Sequence, residues 1–142
     1  MAARRLPQLS ALLASMTLLA ATQAQAALVQ YDPTYAGITK PINISTATTT
    51  QLVALSAGKG IYVTHWDVIA GGTGNGTWVY GDDANCVTNQ VALTGPYNLA
   101  AQVGGSFGDG VGAVLVIPRG KALCFISSAA VQYSGSFTYI QN

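Results

Sequence analysis

The chain has 142 residues and few charges: six Lys and Arg residues stand against five Asp residues, with no Glu, for a formal net charge of +1. This length suits a single small domain. Electrostatic binding to nucleic acid or to a membrane surface is not expected, because both require a cluster of basic side chains. So few charges also give weak repulsion between copies, which makes self-association an expectation.

Residues 1–26 have the pattern of an export signal. Arg4 and Arg5 provide a positive start, an apolar run occupies residues 9–21, and small residues stand at Ala24 and Ala26. The run is shorter than the roughly 20 apolar residues that span a bilayer, which favours a signal peptide. The sequence therefore predicts cleavage after Ala26 and a secreted, periplasmic or cell-surface protein. An uncleaved anchor or an amphipathic tail is the alternative.

The mature chain is predicted to begin with an N-terminal arm at residues 27–41, which contains two Tyr and two Pro residues without a clear period. From Ile42 onward the pattern changes to short β-type segments separated by glycine-rich turns. Strands are predicted at residues 42–46, 50–56, 61–69 and 77–80. The third is the strongest, because it is rich in β-branched and aromatic residues.

Further strands are predicted at residues 87–93, 97–103, 113–117, 122–127 and 131–141, with residues 104–112 as the longest loop. The last strand alternates, with apolar side chains on one face and small polar ones on the other. The apolar set is Val131, Tyr133, Phe137 and Tyr139. Eight or nine short strands without a helical stripe predict an all-β fold, an antiparallel β-sandwich of the jelly-roll type, over residues 42–142.

Two cysteines, Cys86 and Cys124, lie in the mature part of the chain. An exported chain meets an oxidising compartment, where an even number of cysteines predicts a disulfide. A metal-binding pair or a reactive thiol is the alternative. Two distant cysteines with a single histidine do not make a zinc site, and no cofactor is expected.

Four aromatic residues are candidates for a ligand surface: Trp66, Trp78, Tyr80 and Tyr97. Aromatic rings on an exposed sheet face can stack on sugars, since each offers a flat apolar face. Trp78 and Tyr80 are expected on the same face of their strand, because side chains alternate. The alternative is that these rings fill the core of a small β domain.

Three carboxylates are candidates for a calcium site: Asp82 and Asp83 in a turn, and Asp109 in a glycine-rich loop. Calcium prefers six to eight oxygen ligands from flexible loops. The chain has no EF-hand spacing, so the alternative is an ordinary turn in which each Asp accepts hydrogen bonds from its own backbone.

Acid–base catalysis has one candidate pair, His65 and Asp67, which lie two residues apart on one strand and so share a face. The chain has no second histidine and no serine within a Gly-x-Ser-x-Gly elbow. The alternative is a hydrogen-bonded strand histidine. The sequence therefore predicts that the protein is not an enzyme.

Several segments, in this order, resemble a family of small β-sandwich domains of tailed phages, known as minor virion structural proteins. They are TTTQLVALS at 48–56, GKGIYV at 58–63, VYG at 79–81 followed by Cys86, ALTG at 92–95, ALC at 122–124 and SGS at 134–136. The resemblance covers about residues 42–142, and its paired cysteines match Cys86 and Cys124. It implies a non-enzymatic, oligomeric, tail- or capsid-associated role. An export signal departs from that pattern.

The leading hypothesis is an exported, disulfide-bonded structural or surface-interaction module that binds itself or another surface protein. A phage decoration or tail protein in the virion is the first alternative. A carbohydrate-binding module with a glycan ligand is the second.

Overall fold

The computed structural model of the protein describes residues 37–142, and the predicted signal peptide and residues 27–36 of the predicted arm lie outside them. Ten β-strands and no helix form the described part. The strands are β1 (Ile38–Ile44), β2 (Thr49–Val53), β3 (Ile61–Ala70), β4 (Gly74–Gly81), β5 (Val91–Ala92), β6 (Tyr97–Leu99), β7 (Gly104–Phe107), β8 (Leu115–Ile117), β9 (Ala122–Ser127) and β10 (Tyr133–Gln141). Residues 37–142 therefore contain no helix that could cross a membrane.

The strands form two antiparallel sheets. Sheet A has the order β1, β10, β3 and β7, and β8 also pairs with β3. Sheet B has the order β2, β9, β4 and β5, and β6 also pairs with β4. β7 and β8 pair with the same edge of β3, and β5 and β6 pair with the same edge of β4. Each five-stranded sheet is therefore four strands wide. The first four strands alternate between the sheets, as in a jelly roll. The predicted all-β sandwich is confirmed.

The strand boundaries differ from the predicted ones at several places, of which three change how a segment was interpreted. β1 begins at Ile38, so residues 38–41 pair with β10 although they were expected in the arm. Residues 104–107, expected in the longest loop, form β7 against β3. Of the predicted strand at residues 87–93, only Val91–Ala92 pairs with β4, because residues 82–90 fold into a separate loop.

The core lies between the sheets and is rich in aromatic rings. Trp78 contacts Phe125 and Phe137 edge-on, with ring centroids 5.5 and 5.9 Å apart. Trp66 lies across the core from Trp78, at 5.4 Å. The predicted alternation of β10 is confirmed, since Tyr133, Phe137 and Tyr139 are buried and the residues between them are not. Burial of these large rings stabilises the fold, together with the aliphatic side chains of the same core.

The outer face of sheet B is covered by the loop at residues 82–90. Cys86 in this loop bonds to Cys124 on β9, so the predicted disulfide is confirmed. Around the bridge, Val79 and Ala122 are buried in a second small apolar cluster, against which Ile126 packs. The central strands of sheet B are therefore buried on both faces.

The outer face of sheet A carries small polar side chains. Thr39 and Thr138 are hydrogen bonded at 2.9 Å, and the Gln132 amide donates to Asn43 at 2.8 Å. β3 contains an extra residue at Thr64, where the register against β10 shifts. The segment after β7 passes close to this extra residue, where the Gly110 N–H donates a hydrogen bond to the Thr64 carbonyl.

Candidate interaction site at the aromatic edge

Both tryptophans of the predicted ligand surface are buried. Trp66 is 2% exposed and Trp78 is fully buried, so the prediction that they form an exposed stacking platform is wrong. Side chains alternate between the two faces of a strand. Both tryptophans lie at positions that face the opposite sheet, so they fill the space between the two layers. The indole N–H of Trp78 has no hydrogen-bond partner among the described residues. Tyr80 lies half-buried on the same face as Trp78, as expected, and packs against the core.

Tyr97 is the one member of the predicted set that lies at an edge with an exposed aromatic partner. It stands on β6, at the edge of sheet B, and its ring centroid is 5.3 Å from that of Trp66. Phe107, on edge strand β7 of sheet A, stacks on Trp66 at 4.7 Å and lies 5.8 Å from Tyr97. Together these three rings close one edge of the sandwich, and they are called the aromatic edge below.

Phe107 is the exposed member of the aromatic edge, with 47% of its surface accessible. Its ring is fixed from below by buried Trp66, so it loses little side-chain entropy when a partner covers it. Val103 and Val111, on either side of β7 in the sequence, are also exposed. β7 pairs with β3 on one side and ends the sheet on the other. The aromatic edge thus combines exposed apolar surface with the free edge of a strand.

Phe107 was not singled out from the sequence. It lies in a segment of alternating glycines, GGSFGDGVG at 104–112, which indicates a loop. Pairing with β3 overrides that signal, because glycine allows the close approach that β7 makes: a Cβ at Gly104 would lie 2.4 Å from the Val68 carbonyl oxygen. The sequence feature that could have indicated Phe107 is a single aromatic residue within a glycine-rich segment.

The three candidate calcium ligands accept hydrogen bonds from groups of their own loops. Asp83 accepts hydrogen bonds from the N–H groups of Asn85, Val87 and Thr88 at 2.8–3.0 Å. Bonds from the Thr88 side chain and from these N–H groups lower the pKa of Asp83 from its usual 3.8 to about 2. Asp82 accepts from the Asn89 amide and pairs with the Lys121 ammonium, and these bonds lower its pKa.

Asp109 lies in the loop after β7 of sheet A, so the structure does not bring it to the Asp82–Asp83 turn of sheet B. Its Oδ1 accepts from the N–H of Val111 at 2.9 Å, which lowers its pKa. Among residues 37–142, no group of three His, Cys, Asp or Glu side chains is arranged to hold a metal ion. The turn alternative describes these carboxylates better than the calcium prediction does.

His65 and Asp67 lie on one face of β3, as predicted, with Nε2 and Oδ1 3.8 Å apart. The Nδ1 atom of His65 is bonded to the Gly108 carbonyl at 2.8 Å. The Ser136 hydroxyl donates to Asp67 at 2.5 Å. This is not a nucleophile–base arrangement, because the serine is bonded to the carboxylate and not to the imidazole.

Comparison of the chain with protein-family models, with curated proteins and with solved structures finds no match.

Proposed function

We propose that the protein is an exported, non-catalytic structural module that associates with further copies of itself through the aromatic edge. The observation that carries this proposal is Phe107, which is exposed on a strand that ends its sheet. A free strand edge offers unpaired N–H and C=O groups to another chain. An exposed ring fixed on a rigid base adds apolar area at low entropic cost.

Charge favours contact between identical copies. Residues 37–142 contain four basic and four acidic residues, so the described part has no formal net charge at neutral pH. Within the aromatic edge and the segment 103–112, Asp109 is the one charged residue. Two copies that approach through this edge therefore meet little electrostatic repulsion.

Export is supported by the leader pattern and by the disulfide. A bridge persists in oxidising compartments and is rare in the cytosol. Intact mass measured on native-host fractions tests this part of the proposal. A chain that starts at Ala27, is lighter by two hydrogens and is found outside the cytoplasm is the expected result. A full-length, reduced chain in the cytoplasm would overturn export.

Sedimentation velocity over a concentration series tests self-association. We expect the oxidised protein to sediment faster as concentration rises, and Phe107→Ser to move the equilibrium toward monomer. Val87→Ser is the matched control, because Val87 is 70% exposed but lies in the loop over sheet B. A strict monomer at every concentration, or an equal effect of both substitutions, would contradict the proposal.

A role in a virion is the second candidate, supported by analogy alone. Double-sheet jelly rolls occur in viral capsid proteins and also in lectins, so the architecture is compatible with several functions. Mass spectrometry of purified particles from the host tests it. Unprocessed chain in stoichiometric amounts within particles would favour this function over export.

Glycan binding is the third candidate, and the exposed ring of Phe107 beside the half-buried ring of Tyr97 favours it. A glycan array probed with the wild-type protein and with Tyr97→Ala tests it. Binding that Tyr97→Ala abolishes, with the fold intact, would support a carbohydrate-binding module. Absence of binding to every glycan would count against it.

A further inference from the structure

We propose that two copies of the protein pair their β7 strands antiparallel about a twofold axis at Gly105, so that sheet A of one copy continues into sheet A of the other. This pairing rests on the proposed self-association and gives it a geometry. β7 ends sheet A on the side away from β3, and Gly104, Ser106 and Phe107 are exposed there. A strand in this position has backbone groups available to a further strand.

Exposed apolar side chains are concentrated along this edge. Among the described residues ten large apolar side chains are exposed, and five of them lie within residues 103–116. These five, each 41–69% exposed, are Val103, Phe107, Val111, Val114 and Val116. Single exposed apolar residues are ordinary, whereas a cluster of them marks an interaction surface. The cluster favours a partner that brings apolar side chains of its own.

The other three sheet edges carry features that hinder pairing with another chain. The β1 edge contains Lys40 and Pro41, and Pro41 has no N–H to donate. β2 has a register irregularity between Gln51 and Val53. The remaining edge of sheet B consists of the two- and three-residue strands β5 and β6. β7 contains no Pro, no charged residue and no register irregularity, so it is the edge strand best suited to pairing.

The backbone groups available for this pairing are those of Gly104 and Ser106. The Ala70 N–H donates to the Val103 carbonyl at 3.1 Å, so Val103 directs its carbonyl toward β3. Successive residues of an antiparallel strand direct their N–H and C=O groups alternately to its two sides. Gly104 and Ser106, one and three positions after Val103, therefore direct theirs away from β3. They supply two donors and two acceptors at the free edge.

The residue types in this segment are symmetric about Gly105, which suits pairing with an identical strand. Val103 and Phe107 are apolar and lie two positions to either side of it. A twofold axis at Gly105 places Ser106 opposite Gly104 of the second copy, and each such pair exchanges two hydrogen bonds. It also places Phe107 opposite Val103 of the second copy, an aromatic–β-branched pair of the kind that stabilises sheets.

Gly105 leaves the space that this register needs at the axis. It faces its own counterpart in a non-hydrogen-bonded pair, where Cα atoms are about 4.5 Å apart and side chains are closest. A Cβ at Gly105 would lie 3.3 Å from the Phe107 ring, so the absence of a side chain keeps that ring in place on Trp66. Residues 103–107 carry no charge, so the paired segments do not repel each other.

Ser106→Pro tests the pairing, because it removes an outward N–H at an edge position, where Pro is tolerated. Ser106→Ala is the matched control, since it keeps the N–H. In sedimentation velocity, we expect the wild-type protein to level off as a dimer. Ser106→Pro should raise the dissociation constant by more than about tenfold, because two hydrogen bonds are lost in each dimer, and Ser106→Ala should leave it unchanged.

The outcomes separate the strand pairing from the proposed self-association. Wild-type association of a folded Ser106→Pro protein, while Phe107→Ser still shifts the equilibrium to monomer, would overturn the pairing and leave self-association intact. A strictly monomeric wild-type protein would overturn both.

Isotope-filtered NMR on the wild-type dimer supplies a measurement that needs no variant. In a mixture of carbon-13-labelled and unlabelled protein, we expect contacts between the Phe107 ring of one copy and the Val103 methyl groups of the other. Within one copy these residues are about 13 Å apart along an extended segment, so the contact reports the second copy. Contacts of Phe107 with Ile38 of the other copy would indicate head-to-tail pairing with β1 and would overturn the twofold arrangement.

Discussion

The two sheets of the sandwich share one core but differ on their outer faces. The outer face of sheet B is covered by the loop at residues 82–90, which the disulfide holds against β9, and the residues beneath it are buried. The outer face of sheet A carries mostly Ser, Thr, Asn, His and Asp side chains, together with the exposed Ile69 and Val116. On sheet B, stability is gained from a second apolar cluster. On sheet A, the corresponding positions are at least partly exposed to solvent.

Because of this difference, we expect the two outer faces to tolerate substitutions differently. Substitutions on the outer face of sheet B disturb packing and the fit of the loop, and we expect them to change stability. Substitutions on the outer face of sheet A change hydrogen bonds between half-exposed groups, which contribute little net free energy in water. We therefore expect them to change stability little.

Removal of the disulfide should produce the largest effect. The bridge joins residues separated by 38 positions, and a closed loop of that length stabilises the folded state by about 4 kcal/mol on the chain-entropy model. We expect Cys86→Ala combined with Cys124→Ala to lower the free energy of unfolding in urea by about this amount. In this variant, amide hydrogen exchange should become faster in residues 82–90, while the amides of the β3–β10 pairing in sheet A stay protected. Equal loss of protection in both sheets would contradict the expected difference between them.

Gly81→Ala should have the next largest effect. A Cβ at this position would lie 2.6 Å from the Cα atom and 2.8 Å from the carbonyl carbon of Cys86, both backbone atoms, so the loop must move. We expect a loss of about 2–3 kcal/mol, as for other overpacked sites, measured by urea unfolding. Gly95→Ala is the control, because no atom lies within 4 Å of its added Cβ. A similar loss in both variants would show that the loop is not closely fitted.

Val79→Ala and Ile69→Thr compare the two outer faces directly. Val79 is buried under the loop on sheet B, and Ile69 is 53% exposed on the outer face of sheet A. We expect Val79→Ala to cost about 1.5 kcal/mol, from the loss of two buried methyl groups. Ile69→Thr should stay within about 0.5 kcal/mol of wild type. Thermal unfolding of both variants measures the contrast, and an equal cost would indicate that the face of sheet A is also covered.

The sequence predicted the bounds of β9 and, to within two residues, those of β10, but it indicated which face is buried only for β10. In β10, buried Tyr133, Phe137 and Tyr139 alternate with small polar residues, which is the pattern of one buried face. In β9, the sequence ALCFIS has no such alternation, because its outer face is covered by the loop. Periodicity marks a run of this type as strand but does not say what covers its second face.

The candidate site was predictable only in part. Residue type identified Tyr97 and the pair His65 and Asp67, but the exposure of each depends on strand parity and on which strand ends a sheet. Trp66 and Trp78 are of the residue type that forms sugar-binding platforms, but their side chains are buried in the core. Phe107 depends on the pairing of β7 with β3, a contact between residues about 40 positions apart, which no local pattern encodes.

Acidification should give the smallest effect and should act on the loop over sheet B. Hydrogen bonds lower the pKa of Asp83 to about 2 in the folded protein, from 3.8 for the free side chain. Folding is therefore favoured by the charged form: this contribution is complete above about pH 4 and is lost as pH falls toward 2. We expect Asp83→Asn to be less stable than wild type at neutral pH, and the difference to shrink between pH 4 and pH 2. Thermal unfolding over this range measures it, and a difference that stays constant down to pH 2 would show that the Asp83 charge does not hold the loop.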